Sequence, residues 1–123
     1  ATLDDFYAAD YVDKLDELFT IISAAINDRR VDVVYSGLPM IEIVPSGSGK
    51  GTCLAWLSDH LQVKKEAVVA FGDGMNDLQM LSWAGTGLAM GQSSQKVKSV
   101  ADRVIGPVDR EGIAEWIEAE LGK

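Results

Sequence analysis

Ala67-Val-Val-Ala-Phe-Gly-Asp-Gly-Met-Asn-Asp77 is the stretch on which the reading of this chain turns. Its first five residues form a continuous apolar run, the pattern of a strand buried on both faces. Gly72 and Gly74 break the run, polar side chains gather at the tip, and a short helix is expected over Asn76–Ala84. Downstream the alternation repeats, with a second buried strand expected over Gly87–Met90, a helix over Gln95–Ala101, a third strand over Arg103–Ile105 and a closing helix over Glu111–Leu121. Upstream, Leu54, Leu57 and Leu61 recur at helical spacing after Thr52. Helices alternating with short apolar strands predict βαβ units, a parallel sheet with helices on its faces, and a ligand at the carboxyl ends of the strands.

Further upstream the pattern changes. Leu15, Leu18, Phe19, Ile22 and Ile26 predict an amphipathic helix, with Arg29 and Arg30 placed to suit its C-terminus. Two extended runs, Val31–Ser36 and Met40–Val44, flank a turn at Gly37-Leu-Pro39, an arrangement open to a hairpin.

The 123 residues correspond to about one domain, and 47% hydrophobic with 24% charged residues is a globular composition. Eleven Lys and Arg against nineteen Asp and Glu give a charge of −8, which argues against a nucleic-acid partner held through its phosphates. A single cysteine, Cys53, excludes an intrachain disulfide and a cysteine-rich zinc site. There is no apolar run of membrane-spanning length, and Ala1-Thr-Leu-Asp-Asp5 has no signal-peptide character, so no membrane partner and a cytoplasmic location are expected.

Two loops carry candidate chemistry. In Gly72–Asp77 the carboxylates Asp73 and Asp77 stand four residues apart and suit Mg²⁺, a hard cation often held by one or two carboxylates and a substrate phosphate. Asn76 is placed to donate to a phosphate oxygen. The same residues also make an ordinary Asp/Gly/Asn turn in which Asn76 or Asp77 caps a helix. In Ser46-Gly-Ser-Gly-Lys-Gly-Thr52, glycines permit close approach to an anion and Lys50 adds a charge. Against the Walker A pattern, Val44 and Gly51 occupy two of the fixed positions. Gly47–Thr52 nevertheless resembles the variant loop of adenylate kinases, so a P-loop nucleotide binder is one alternative. A flexible turn with a solvated lysine is another.

Taken in order, Ile41-Glu-Ile with Pro45, Lys50-Gly51, Gly72-Asp-x-x-Asn-Asp77, Met80-Leu, Ala84-Gly, Ala89-Met-Gly91, Ala101-Asp102 and Gly112-Ile-Ala resemble the C-terminal half of a haloacid-dehalogenase-type (HAD) hydrolase, closest to the Cof-like sugar phosphatases. The resemblance implies an α/β fold. Residues 40–123 would form the C-terminal half of a Rossmann-like HAD core with parallel strands and flanking helices, and residues 1–39 a remnant of an α+β cap domain. It implies Mg²⁺-dependent hydrolysis of a small phosphate monoester, a sugar phosphate, through an aspartyl-phosphate. Lys50 would neutralise the phosphate and the nucleophile, Asp73 would ligate Mg²⁺, Asn76 would contact phosphate, and Asp77 would support the metal.

The sequence departs from that family in lacking its D-x-D-x-[TV] nucleophile motif anywhere, and Gln92 stands where the family usually has Asn. The nucleophile is therefore expected upstream, the chain alone is expected to be inactive, and a non-catalytic binding module of the same fold is the other alternative. The missing half of the core, or a second copy pairing with the exposed strand 67–71, is the expected partner. Cys53 reads as a packing residue, His60 as a surface residue, Trp56, Trp83 and Trp116 as sheet-packing residues, and Glu42 as a hairpin-face residue.

Overall fold

The computed structural model describes residues 9–35 and 40–122. The chain divides into two compact units, Ala1–Ser48 and Gly49–Lys123. The sequence reading begins its second part at Met40, nine residues earlier. The strand that follows Met40 finds its backbone partners in the preceding strand, which keeps it in the first unit.

In the first unit, helix α1 (Ala9–Ala25) is followed by strands β1 (Val31–Tyr35) and β2 (Ile41–Pro45). The strands pair antiparallel from Val31 opposite Pro45 to Tyr35 opposite Ile41, so the two extended runs do form a hairpin. The expected turn at Gly37–Pro39 lies outside the described residues. Leu15, Phe19, Ile22 and Ile26 make a half-buried stripe, and the Phe19 ring meets Tyr35 edge to face at 6.1 Å. Leu18 falls off that stripe and is exposed. Arg29 and Arg30 do not serve the helix terminus, because α1 ends at Ala25. Arg30 instead grips Asp28, its guanidinium donating to both carboxylate oxygens at 2.6–3.1 Å. Asp32 closes the same end of the hairpin, accepting from the Gly47 N–H at 2.9 Å and from the Ser46 hydroxyl at 3.2 Å.

The second unit alternates as the sequence predicts. Helix α2 (Lys50–His60) leads through a 3₁₀ turn at Lys65–Ala67 to β3 (Val69–Gly72). A second 3₁₀ turn, Met75–Asp77, runs into α3 (Leu78–Trp83), followed by β4 (Thr86–Ala89), α4 (Gln95–Val100), β5 (Arg103–Val104), a third 3₁₀ turn at Val108–Arg110 and α5 (Gly112–Leu121). The sheet is parallel, in the order β3-β4-β5. Its register sets Val69 beside Thr86 and Gly72 beside Ala89, with Leu88 beside Arg103. Asp102 fixes the start of β4 by exchanging two hydrogen bonds with Gly87: its carboxylate accepts the Gly87 N–H at 2.7 Å, and its own N–H donates to the Gly87 carbonyl at 2.8 Å.

Ala70, Leu81, Ala84, Ala89 and Val97 form the buried core, with Leu54, Val68, Met75, Leu78 and Trp83 packed around it. β4 is the central strand, and Leu88 and Ala89 are fully buried. β3 begins later than its apolar run because Lys65–Ala67 turns first, the Lys65 carbonyl accepting from Val68 and Gly85. β3 is also not buried on both faces, since Val69 is 40% exposed. On α2 only Leu54 joins the core, while Trp56 and Leu57, and Leu61 just past the helix end, stay exposed. Trp56 stacks on His60 rather than on the sheet, with ring centroids 5.1 Å apart. Trp116 packs edge to face on Phe71 of β3 at 5.5 Å.

Among the described residues β3 pairs on one side only, with β4. A strand edge with unpaired N–H and C=O groups is a template for another strand. The isolated chain is therefore expected to self-associate at micromolar concentration, as read by sedimentation or light scattering. A clean monomer with slow amide exchange across Val68–Phe71 would show that this edge is covered.

Candidate active site

The carboxyl end of β3 releases the chain at Gly72, and the 3₁₀ turn Met75–Asp77 folds it back at once. That return brings the Asp77 carboxylate under the turn, where it is 2% exposed. Its Oδ2 accepts the backbone N–H of Asp73 at 2.9 Å and of Gly74 at 3.0 Å. Its Oδ1 accepts from Lys50 Nζ at 2.5 Å, across 27 positions of sequence. Both carboxylate oxygens are thus satisfied within the chain, as a buried charge requires.

Two glycines make this possible. A Cβ at Gly72 would stand 2.7 Å from Asp77 Cβ, so only glycine lets the turn close over that side chain. A Cβ at Gly51 would meet Gln79 Cγ at 2.6 Å and the Gln79 backbone carbon at 2.9 Å. The glycine after Lys50 therefore lets the first turn of α2 press against α3, which brings the lysine to Asp77.

Burial alone would raise the Asp77 carboxyl above its ordinary range. The Lys50 ammonium and the two amide donors outweigh that burial and hold it below the usual carboxylate value. Lys50 keeps a side chain 51% exposed, so its ammonium has further donors to offer. Asp73 is exposed.

Lys50, Asp73 and Asp77 line one open pocket of about 460 Å³ with Gln92 at its wall, and Phe71, Met80, Met90, Val108 and Ile113 give it an apolar lining. Three of the four residues singled out from sequence thus meet at one place, beyond the carboxyl end of the parallel sheet. Asn76 is the exception: it is exposed on the turn and does not line the pocket. Cys53 is exposed on α2, correcting its reading as a packing residue, whereas His60 is on the surface as expected. Glu42 is half-buried on β2 in the other unit.

Sequence reasoning missed the link between Gln92 and Val108, the Val108 N–H donating to Gln92 Oε1 at 3.1 Å. It also missed the clamp made by Asp102, although Ala101-Asp102 had marked the position. No group of three His, Cys, Asp or Glu side chains able to hold a metal occurs among the described residues. The hard oxygen chemistry of Asp73 fits Mg²⁺ in part: one free carboxylate stands at the pocket, and a second is committed to hydrogen bonds. No helix among the described residues is long and apolar enough to cross a membrane.

The profile of the haloacid dehalogenase-like hydrolases matches residues 2–117. The chain is 37% identical over 91 residues to the HMP-PP phosphatase of Serratia proteamaculans, covering 72% of this chain and 33% of that protein. It is 40% identical over 79 residues to the 5-amino-6-(5-phospho-D-ribitylamino)uracil phosphatase YitU of Bacillus subtilis, covering 64% of this chain and 29% of the relative. Among solved structures it resembles the HAD subclass IIB sugar phosphatase BT4131, with a TM-score of 0.75 and 30% identity over 85% of this chain and 39% of that one. The chain spans about a third of the length of these relatives.

Because the folded-state pKa of Asp77 is lowered, its stabilising contribution is complete above the ordinary value of 3.8 and is lost as pH falls through the folded value. Asp77→Asn keeps an oxygen for the two amides but removes the charge facing Lys50. It should cost about 1–3 kcal/mol near pH 7, and the loss of stability below pH 3.8 should shrink. Thermal melts of both proteins across pH 2–7 read this directly. Superimposable acid limbs would show that the Lys50–Asp77 pair carries no folding energy.

Proposed function

The chain belongs to the haloacid dehalogenase-like hydrolases, and from that premise we propose that it is the C-terminal portion of a Mg²⁺-dependent phosphatase acting on a small phosphate monoester, a sugar phosphate. The observation that carries the proposal is the Lys50–Asp77–Asp73 arrangement at the mouth of the pocket. The HMP-PP phosphatase, the 5-amino-6-(5-phospho-D-ribitylamino)uracil phosphatase and the sugar phosphatase BT4131 are named for small phosphorylated substrates, which supports the class.

The electrostatics support the same reading. One ammonium faces two carboxylates at the pocket. A dianionic phosphate brought beside them is repelled unless a divalent cation joins it. Asp73 is the carboxylate left free to hold that cation, which when bound would neutralise charge on the phosphoryl oxygens. Asp77 keeps Lys50 and the Asp73 backbone in place, so its role is to brace the site. Lys50 is held by one of its three donors and retains the others for an anionic ligand. Asn76 is retained as a phosphate contact from the turn, reached once substrate is bound.

Hydrolysis through an aspartyl-phosphate also needs an attacking carboxylate. We assign it to a D-x-D-x-[TV] motif in the remainder of a longer protein, consistent with the third of the relatives' length that this chain spans. The unit formed by residues 1–48 is then the end of the cap, and the cytoplasm the place of action. A P-loop reading draws no support from the fold. The strand before Ser46–Thr52 pairs antiparallel in a hairpin rather than standing in the parallel sheet, as a strand–loop–helix phosphate site requires.

Two assays test the proposal. With Mg²⁺ and an aryl phosphate the chain alone should show no turnover; sustained turnover abolished by Asp73→Asn would reveal a nucleophile within it. In the full-length enzyme, Lys50→Ala and Asp73→Asn should each lower kcat on the order of 10²-fold or more, whereas Cys53→Ser and His60→Gln should stay within a few-fold. A His60 variant as inactive as the Asp73 variant would overturn these roles.

A further inference from the structure

Gln92 follows β4 on the loop that forms one wall of the pocket. Its amide has one acceptor end and one end with two donors. The Val108 backbone N–H, 16 positions downstream, occupies the acceptor end at 3.1 Å. A backbone N–H can only donate, so this bond fixes which way round the amide stands. The oxygen belongs to Val108, and Nε2 is left as a donor pair without a hydrogen-bond partner among the described residues.

The chemistry of the pocket gives that donor pair a use. Its other lining side chains are apolar or carboxylate, apart from Lys50. Among the described residues, Lys50 and Gln92 are therefore the only lining side chains with N–H groups for an anion, and Lys50 already shares its charge with Asp77. The neighbouring backbone offers less, because the Asp73 and Gly74 amides are taken by Asp77 Oδ2. A neutral amide adds a hydrogen bond to an anion without altering the ionisation of the two carboxylates. Held at its oxygen by Val108, it also loses less freedom on binding than an untethered glutamine would.

We propose that Gln92 is a phosphate-binding residue of this site, Oε1 anchored on the Val108 N–H and Nε2 donating to a phosphate oxygen in the pocket. The inference rests on the phosphatase reading above and adds a residue to it. A purely structural tie would need only the oxygen, and this difference makes the two roles separable. Gln92→Glu keeps an oxygen to accept from Val108 and replaces the donors by a negatively charged acceptor.

The test is a titration of the isotopically labelled full-length enzyme with inorganic phosphate in the presence of Mg²⁺, followed by ¹H–¹⁵N NMR. The Gln92 side-chain NH₂ signals should move together with the Gly72–Asp77 backbone amides and with the same apparent Kd. Gln92→Glu should leave the Val108 amide where it is and weaken phosphate binding about tenfold or more, the loss of a charge-assisted hydrogen bond with repulsion added. If phosphate moves Gly72–Asp77 but not the Gln92 NH₂, or binds Gln92→Glu as tightly as the native chain, Gln92 is only a tie and this inference falls while the phosphate site stands. If neither set of signals responds, the phosphate-site reading falls with it.

Discussion

The Asp77 carboxylate is the constraint on which the rest of the site depends. One oxygen takes the Lys50 ammonium from the start of α2, and the other takes two amides from the end of β3. A single buried side chain thus joins a helix N-terminus, a strand C-terminus and the turn between β3 and α3. Neither of the two amides it holds is a neighbour of Lys50 in sequence. Each glycine that approaches closely here serves that joint, Gly72 by letting the turn fold over Asp77 and Gly51 by letting α2 settle on α3.

The energetics explain why the joint holds position more than it adds stability. A pair with one partner half exposed gains modest Coulomb energy. The buried partner behaves differently: a carboxylate removed from water needs every donor it has, and losing any one of them leaves a desolvated charge. The arrangement is therefore asymmetric. Asp77 is held tightly by three donors, and Lys50, fixed at its tip, still faces solvent. That is the condition of a charge kept in place yet available to a ligand.

Much of this was legible because it follows from local pattern. The alternation of helices and apolar runs from Leu54 to Leu121 encodes the parallel sheet, and the Gly-Asp-Gly-Met-Asn-Asp run marks where the strand ends and polar groups collect. What escaped reading depends on partners far along the chain. Periodicity shows that a helix has an apolar face and not what covers it, so Leu57 and Leu61 looked like core and stand exposed. Val69 looked doubly buried because its run is apolar throughout, yet it lies on an edge strand. Arg30 was read from its distance to a helix end, and the shorter reach to Asp28 won. The Gln92–Val108 bond spans two loops that no spacing rule connects.

The two readings of the Gly72–Asp77 loop, a cap and a chemical site, do not compete. Asp77 caps the turn with one oxygen and positions the cation with the other. Because both its oxygens are engaged in doing so, Asp73 is left as the open carboxylate of the loop. Such a pocket, lined by one ammonium and two carboxylates, has an excess of negative charge before any phosphate arrives. On the proposed reading, hydrolysis there further needs a divalent cation and an attacking group. Among the described residues the sheet has an open edge at the same place: Phe71, on edge strand β3, lines the same pocket as Lys50 and Asp73. A strand added there would lie along the pocket, so one pairing event would close the sheet edge and bring its side chains to the phosphate site.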